Sequence, residues 1–151
     1  MNIIFPRVVW ALALLFVFSG CDNAKQVINV PESITIENAY VRAMPPGQSV
    51  TALFLDIKNP SSNDINLVKA KTKASEHIEL HEHKQVDGMM QMGQVEEIII
   101  PAGKTVALAT GGYHIMLIGL KRDLAIGERV DVTLVFNNGL SKKIQAEVKK
   151  Q

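Results

Sequence analysis

The chain predicts an all-β fold, and three observations carry that prediction. After residue 34, short runs rich in β-branched and alternating apolar residues follow one another along the chain. Gly, Pro, Asn and Asp clusters separate these runs at close spacing, as they do between strands. No stretch of the region shows a convincing helical repeat of apolar residues. Strands in such a series close into a sandwich or a barrel.

Taken in order, most runs end at a recognisable punctuation. ITIENAYVRAM (34–44) stops at the PPGQ turn, and SVTALFLDIKN (49–59) stops at PSSND. Proline has no N–H to give a strand ladder, so both stops have a physical cause. INLVKAKT (65–72) and HIELHEHK (77–84) follow, then Asp87-Gly88, a strong hairpin dipeptide. MMQMGQVEEIII (89–100) runs to the PAGK turn, TVALAT (105–110) to Gly111-Gly112, and YHIMLIGL (113–120) comes next. RVDVTLVF (129–136) turns at Asn137-Asn138-Gly139 into LSKKIQAEVKK (140–150). The stretch 120–130, LKRDLAIGERV, is the one candidate for a helical turn or a long crossing loop.

The 151 residues are 47% apolar, enough for the core of one domain. Aromatic residues make up only 5%, the net charge is +1, and no block of like charges occurs. That composition excludes a nucleic-acid surface built on stacked rings or a basic stripe. The first residues differ in kind. Arg7 precedes an apolar run from Val8 to Phe18, and Ser19-Gly20-Cys21 ends it. The run falls short of the roughly 20 residues that span a bilayer, and it has the three parts of a secretory signal. The expected organisation is a signal peptide over 1–20, a polar tether over 21–33 and a single domain over 34–151.

FSGC resembles a bacterial lipobox, which makes Cys21 the expected site of lipidation and places the domain on the periplasmic face of the cell envelope. Phe18 stands where leucine is more usual in that motif. Cys21 is also the only cysteine. Once it is lipidated, a His₂Cys copper site, a cysteine-rich zinc site and a cysteine nucleophile are all excluded. Removing residues 1–20 takes away Arg7 and no acid, so basic and acidic residues become equal in number.

The chemistry lies in two strands. Residues two apart share a face, so His114 and Met116 point the same way. By itself a His-X-Met pair is ordinary packing, because methionine fills gaps. HIELHEHK, however, aligns His77, Glu79, His81 and His83 on one face. Beyond Asp87-Gly88 lie Met89, Met90 and Met92. A two-residue type I′ turn pairs His83 with Met92, whereas a four-residue loop pairs His81 with Met92. Both registers gather His81, His83, Met90 and Met92 on one face within side-chain reach, and the spacing leaves the two histidines open as alternatives. Thioether sulfur suits Cu(I) rather than hard cations, and imidazole also binds copper. A mixed His/Met set without cysteine therefore points to copper, mainly Cu(I), with zinc at the three histidines as the weaker metal alternative.

HIELHE, DGMMQM, IPAGKTVAL and GGYHIMLIGLKRDLAIGERVDVTLVF together closely resemble the periplasmic copper chaperones called PCu(A)C. The mark of that family is a His, ten residues, a Met, twenty-one residues, then His-X-Met, and here it falls on His81, Met92, His114 and Met116. The resemblance covers residues 34–148. It implies a cupredoxin-like Greek-key β-sandwich, and it settles the register question in favour of His81 as ligand. It further implies a Cu(I) carrier delivering to the binuclear copper site of cytochrome c oxidase subunit II, alongside Sco-type thiol proteins. Tyr40 stands where many relatives have Trp, an exchange expected to affect packing. His83 and Met90 are possible extra donors beside the motif, and Met89 is an expected spectator.

No nucleophile and base can be placed together, so the chain is not expected to be an enzyme. Two other classes compete with delivery. One is a lipid-anchored copper buffer for stress tolerance, with no oxidase client. The other is a metal-independent β-sandwich that docks a partner through its methionine patch.

Overall fold

Ten strands form where the alternation and its punctuation place them. They are β1 (Thr35–Arg42), β2 (Val50–Lys58), β3 (Ile65–Thr72), β4 (Ser75–Val86), β5 (Met89–Val95), β6 (Ile98–Ile100), β7 (Thr105–Leu108), β8 (Tyr113–Leu120), β9 (Arg129–Phe136) and β10 (Ser141–Lys149). The computed structural model describes residues 34–150. The expected signal peptide, the tether and Cys21 lie outside the described residues.

The hydrogen-bonded order is β5-β4-β8-β2-β1-β10-β9-β3-β6, with β7 paired to the second half of β2. All neighbours are antiparallel except β1 and β10. The path doubles over into two layers around one apolar core. Leu53, Leu55, Leu80, Ile115 and Leu117 come from one arm, and Leu67, Ile98, Val132, Leu134 and Phe136 from the other. Side chains of this size contribute about 1.5–3 kcal/mol each when fully buried. Among the described residues, the core cluster runs from Ile34 to Val148.

Strand β9 shows the period cleanly, with Val130, Val132, Leu134 and Phe136 buried. Strand β2 breaks it, because Thr51 to Leu55 are buried on both faces. The cause is a cover on its outer side. A bulge in β1 at Asn38 (φ 53°) inserts one extra residue between Glu37 and Tyr40. That insertion sends Val41 into the core and turns Tyr40 outward with Phe54, the residue it pairs with. Tyr40 stacks on Phe54 at 5.1 Å, and the Arg42 guanidinium lies over the same ring at 5.0 Å. Tyr40 thus acts in packing, as expected.

Two expectations need correction, and one left open between a helical turn and a crossing loop is decided. Residues 89–100 do not form one strand: pairing ends after Val95, and Ile98–Ile100 crosses to β3 on the other arm. Residues 121–128 form turns and loop rather than a helical turn, with Gly127 at φ 85°. The β4–β5 connection is the two-residue turn, with Asp87 at φ 50° and Gly88 at φ 78°, the pair of positive values that type I′ needs. Val86 therefore faces Met89, His83 faces Met92, and His81 faces Gln94. The register that would set Met92 opposite His81 is not formed.

Candidate metal centre

Three adjacent strands carry the site on the outer surface of their sheet, away from the core. In the ladder, His114 of β8 is directly opposite His81 of β4, and Met116 is opposite Glu79. On its other side Met116 faces Ala52 of β2, whose small side chain leaves space. Strand β5 adds Met92 beside His83. An open cavity of about 400 Å³ lies on this face, lined by His83, Met92, His114, Met116, Met44 and Arg42, with His81 and Glu79 beside it on β4 rather than in its lining.

His114 is the fixed point. It is 3% exposed, and its ring sits 4.9 Å from that of His83, 5.7 Å from that of His81 and 6.3 Å from that of Phe54. Its Nδ1 lies 3.0 Å from the Gly112 carbonyl, an atom that can only accept, so Nδ1 carries the hydrogen. Gly112 belongs to the glycine pair that leads into the strand. Burial pushes the His114 pKa below the ordinary 6.5, against the Gly112 bond, and the charges of His83, His81 and Arg42 add to the lowering. A neutral ring with Nδ1–H leaves a lone pair on Nε2.

That lone pair faces sulfur. His114 Nε2 is 3.3 Å from Met92 Sδ, and with the hydrogen on Nδ1 neither atom has a proton to offer the other. Metal–N and metal–S bonds of about 2.0 and 2.3 Å at a tetrahedral centre put the two donors about 3.5 Å apart. The pair is spaced as two ligands of one metal ion. The thioether is of the kind that selects Cu(I), imidazole binds copper as well, and Met116 brings a second thioether to the same cavity.

His81 and His83 contribute differently. His81 Nε2 is 2.8 Å from Glu79 Oε2, while its Nδ1 is buried without a hydrogen-bond partner. His83 Nδ1 is likewise buried, and neither Nδ1 has a partner among the described residues. Met90 is 59% exposed near the end of the hairpin and does not line the cavity. The structure thus brings His81, His83, Met90, Met92, His114 and Met116 onto one face, with Met90 toward the hairpin end and away from the cavity. Among the described residues, no three His, Cys, Asp or Glu side chains are grouped to hold a metal, so zinc at the three histidines gains no support from the geometry.

Sequence reasoning missed Arg42 at the end of β1, Met44 in the segment after it, and Phe54 on the outer side of β2, all of which line the cavity. No spacing signal marks them. It also set aside Glu79, although its place in the His-Glu-His alternation was visible.

Known proteins share this architecture. The family model described as "Putative lipoprotein LpqE-like" matches residues 34–148. A protein of Leifsonia xyli subsp. xyli, named "Putative lipoprotein Lxx21020", is 34% identical over 149 residues, covering 95% of this chain and 89% of its own. The solution structure of the Cu(I) form of DR1885 from Deinococcus radiodurans is 35% identical with a TM-score of 0.68, over 85% of this chain and 86% of that one. The copper-bound PCuAC domain from PmoF2 superposes with a TM-score of 0.67 at 23% identity, over 78% of this chain and 93% of that one. With 34–148 matched by its model, the chain belongs to the LpqE-like family, and its domain is the cupredoxin-like β-sandwich of the PCuAC copper-chaperone domains.

Proposed function

We propose that this protein is a Cu(I) carrier of the cell envelope, holding the ion at His81, Met92, His114 and Met116. The observation that carries the reading is the His114 Nε2–Met92 Sδ pair, an imidazole lone pair and a soft thioether at 3.3 Å with no proton between them. The Cu(I) form of DR1885 and the copper-bound domain from PmoF2 support it by likeness. In this reading the imidazoles supply firm bonds and the thioethers favour Cu(I) over divalent ions. Copper leaves by ligand exchange: an incoming donor replaces one thioether at a time, with no change of oxidation state.

His83 stands directly across from Met92 and lines the cavity, which favours it as a rim ligand that the ion meets on entry or exit. The lipoprotein names of the family and of the Leifsonia relative support the rest of the placement. In that placement residues 1–20 are removed, Cys21 carries the lipid, residues 21–33 form the tether, and the domain works at the periplasmic face. The proposed client is the binuclear copper site of cytochrome c oxidase subunit II, reached directly or through a Sco-type protein.

An anaerobic Cu(I) titration of the chain from residue 22 against a chromophoric chelator tests the core of this. Uptake of a single Cu(I) in competition with the chelator is the expected result. No competitive uptake would sink the carrier and leave the metal-independent docking module as the better reading. Delivery is tested separately by deleting the gene under limiting copper. Loss of oxidase activity supports delivery, and unchanged activity with copper sensitivity supports the buffer.

A further inference from the structure

We infer that Glu79 is the positioning residue of His81, fixing its ring so that it meets Cu(I) through Nδ1, the opposite ring nitrogen from the one His114 presents. The inference rests on the reading that this face binds Cu(I).

A neutral imidazole has one N–H. The Glu79 carboxylate, 2.8 Å from His81 Nε2, only accepts, so that hydrogen sits on Nε2 and the lone pair on Nδ1. His81 Nδ1 is buried and has no hydrogen-bond partner among the described residues. A buried acceptor left in that state is costly unless something else occupies it. His114 shows the mirror arrangement, with Nδ1–H held by the Gly112 carbonyl and the lone pair on Nε2. Metal-binding histidines are commonly held in this way, with an acceptor on the second nitrogen that sets both tautomer and ring orientation.

The local fold supplies the contact. Glu79 and His81 are two apart on β4 and share its outer face, with Met116 and His114 directly opposite them in β8. The carboxylate is a hard donor poorly matched to Cu(I), and one of its oxygens is engaged by His81, so its part is to orient. The contact also separates the two candidate histidines. His83 shares the face and the buried Nδ1, but no acceptor holds its other nitrogen among the described residues. His81 is the one of the pair set in advance for a metal.

The test is long-range ¹H–¹⁵N NMR of the ¹⁵N-labelled chain from residue 22, apo and Cu(I)-loaded, beside Glu79→Gln and Glu79→Ala. In the apo wild type, His81 is expected as the Nε2–H tautomer, and Cu(I) is expected to shift His81 Nδ1 and His114 Nε2. Glu79→Gln keeps an oxygen acceptor and should keep both the tautomer and the Cu(I) affinity, the latter within about threefold. Glu79→Ala should give a tautomer mixture and an affinity lower by roughly 10- to 100-fold, the usual effect of losing such a partner. Cu(I) on His81 Nε2, or an apo ring in the Nδ1–H or doubly protonated form, overturns the inference without any variant. Unchanged tautomer and affinity in Glu79→Ala also overturns it. Failure of the wild type to bind Cu(I) overturns the copper reading itself, an outcome distinct from copper bound at the other nitrogen.

Discussion

The two halves of the site stand on strands of opposite character. His114 and Met116 belong to β8, which is hydrogen-bonded to β4 on one side and β2 on the other. Met92 belongs to β5, the end of the strand order, which among the described residues pairs with β4 alone. His114 is 3% exposed, whereas Met92 is 51% exposed and every residue from Met89 to Gln94 is exposed. An interior strand over a packed core opens only with the whole domain, while an edge hairpin with little apolar burial opens locally at low cost. The contrast suits the proposed carrier, in which one half would anchor the ion and the other half could let it go.

Breaking the anchored half should have the largest effect. The double variant His114→Ala/Met116→Leu is expected to lower Cu(I) affinity more than about 100-fold, beyond what loss of an outer partner causes. Chelator competition reads this, and near wild-type affinity would show that the ion sits elsewhere. Breaking the edge half should cost less. Met92→Leu keeps shape and exposure while removing a soft donor, so affinity should fall about tenfold, or about 1.4 kcal/mol. Its melting temperature should stay at the wild-type value, because the residue is half in solvent. A large loss of stability in Met92→Leu would mean that β5 is part of the core after all.

Acidification sharpens the comparison from the anchored side. Because burial holds the His114 pKa below 6.5 in the folded apo protein, the unfolded chain binds more protons between the folded value and 6.5. The neutral ring's contribution to stability is therefore complete above pH 6.5 and is lost as pH falls through the folded pKa. Thermal melts of the apo protein at about pH 7.5 and about pH 5 should show a drop that is smaller in His114→Gln. An equal drop in both would place the pH sensitivity elsewhere. Smallest of all is Met89→Leu. At 64% exposure, and outside the cavity, it should change neither affinity by more than about twofold nor stability by more than about 0.5 kcal/mol.

Much of this was legible one strand at a time. The period of two put His81 with His83 on one side of β4 and His114 with Met116 on one side of β8, and both assignments hold. Asp87-Gly88 announced its own turn, and the two-residue register follows from the positive φ values these residues tolerate. The resemblance pointed to His81, yet the ladder set Met92 across from His83. Strand pairing alone therefore does not choose between the histidines, and the Glu79 contact is what distinguishes them. The division of 89–100 into two strands was hidden because MMQMGQVEEIII reads as one extended run, and only the crossing to the other arm separates its ends.

By itself the sequence determined the strand series, the turns, the donor types and the face each donor occupies. Those are local properties, set by side-chain chemistry and by the two-residue period of a strand. The tertiary structure decided that β8 lies between β4 and β2, so that His114 meets His81 and Met116 lies above the small Ala52. It also decided that a single extra residue at Asn38 turns Tyr40 and Arg42 toward Phe54 and closes the side of the cavity. Contacts between strands far apart in the chain depend on which edges pair and where a bulge shifts the register, and no local spacing encodes either.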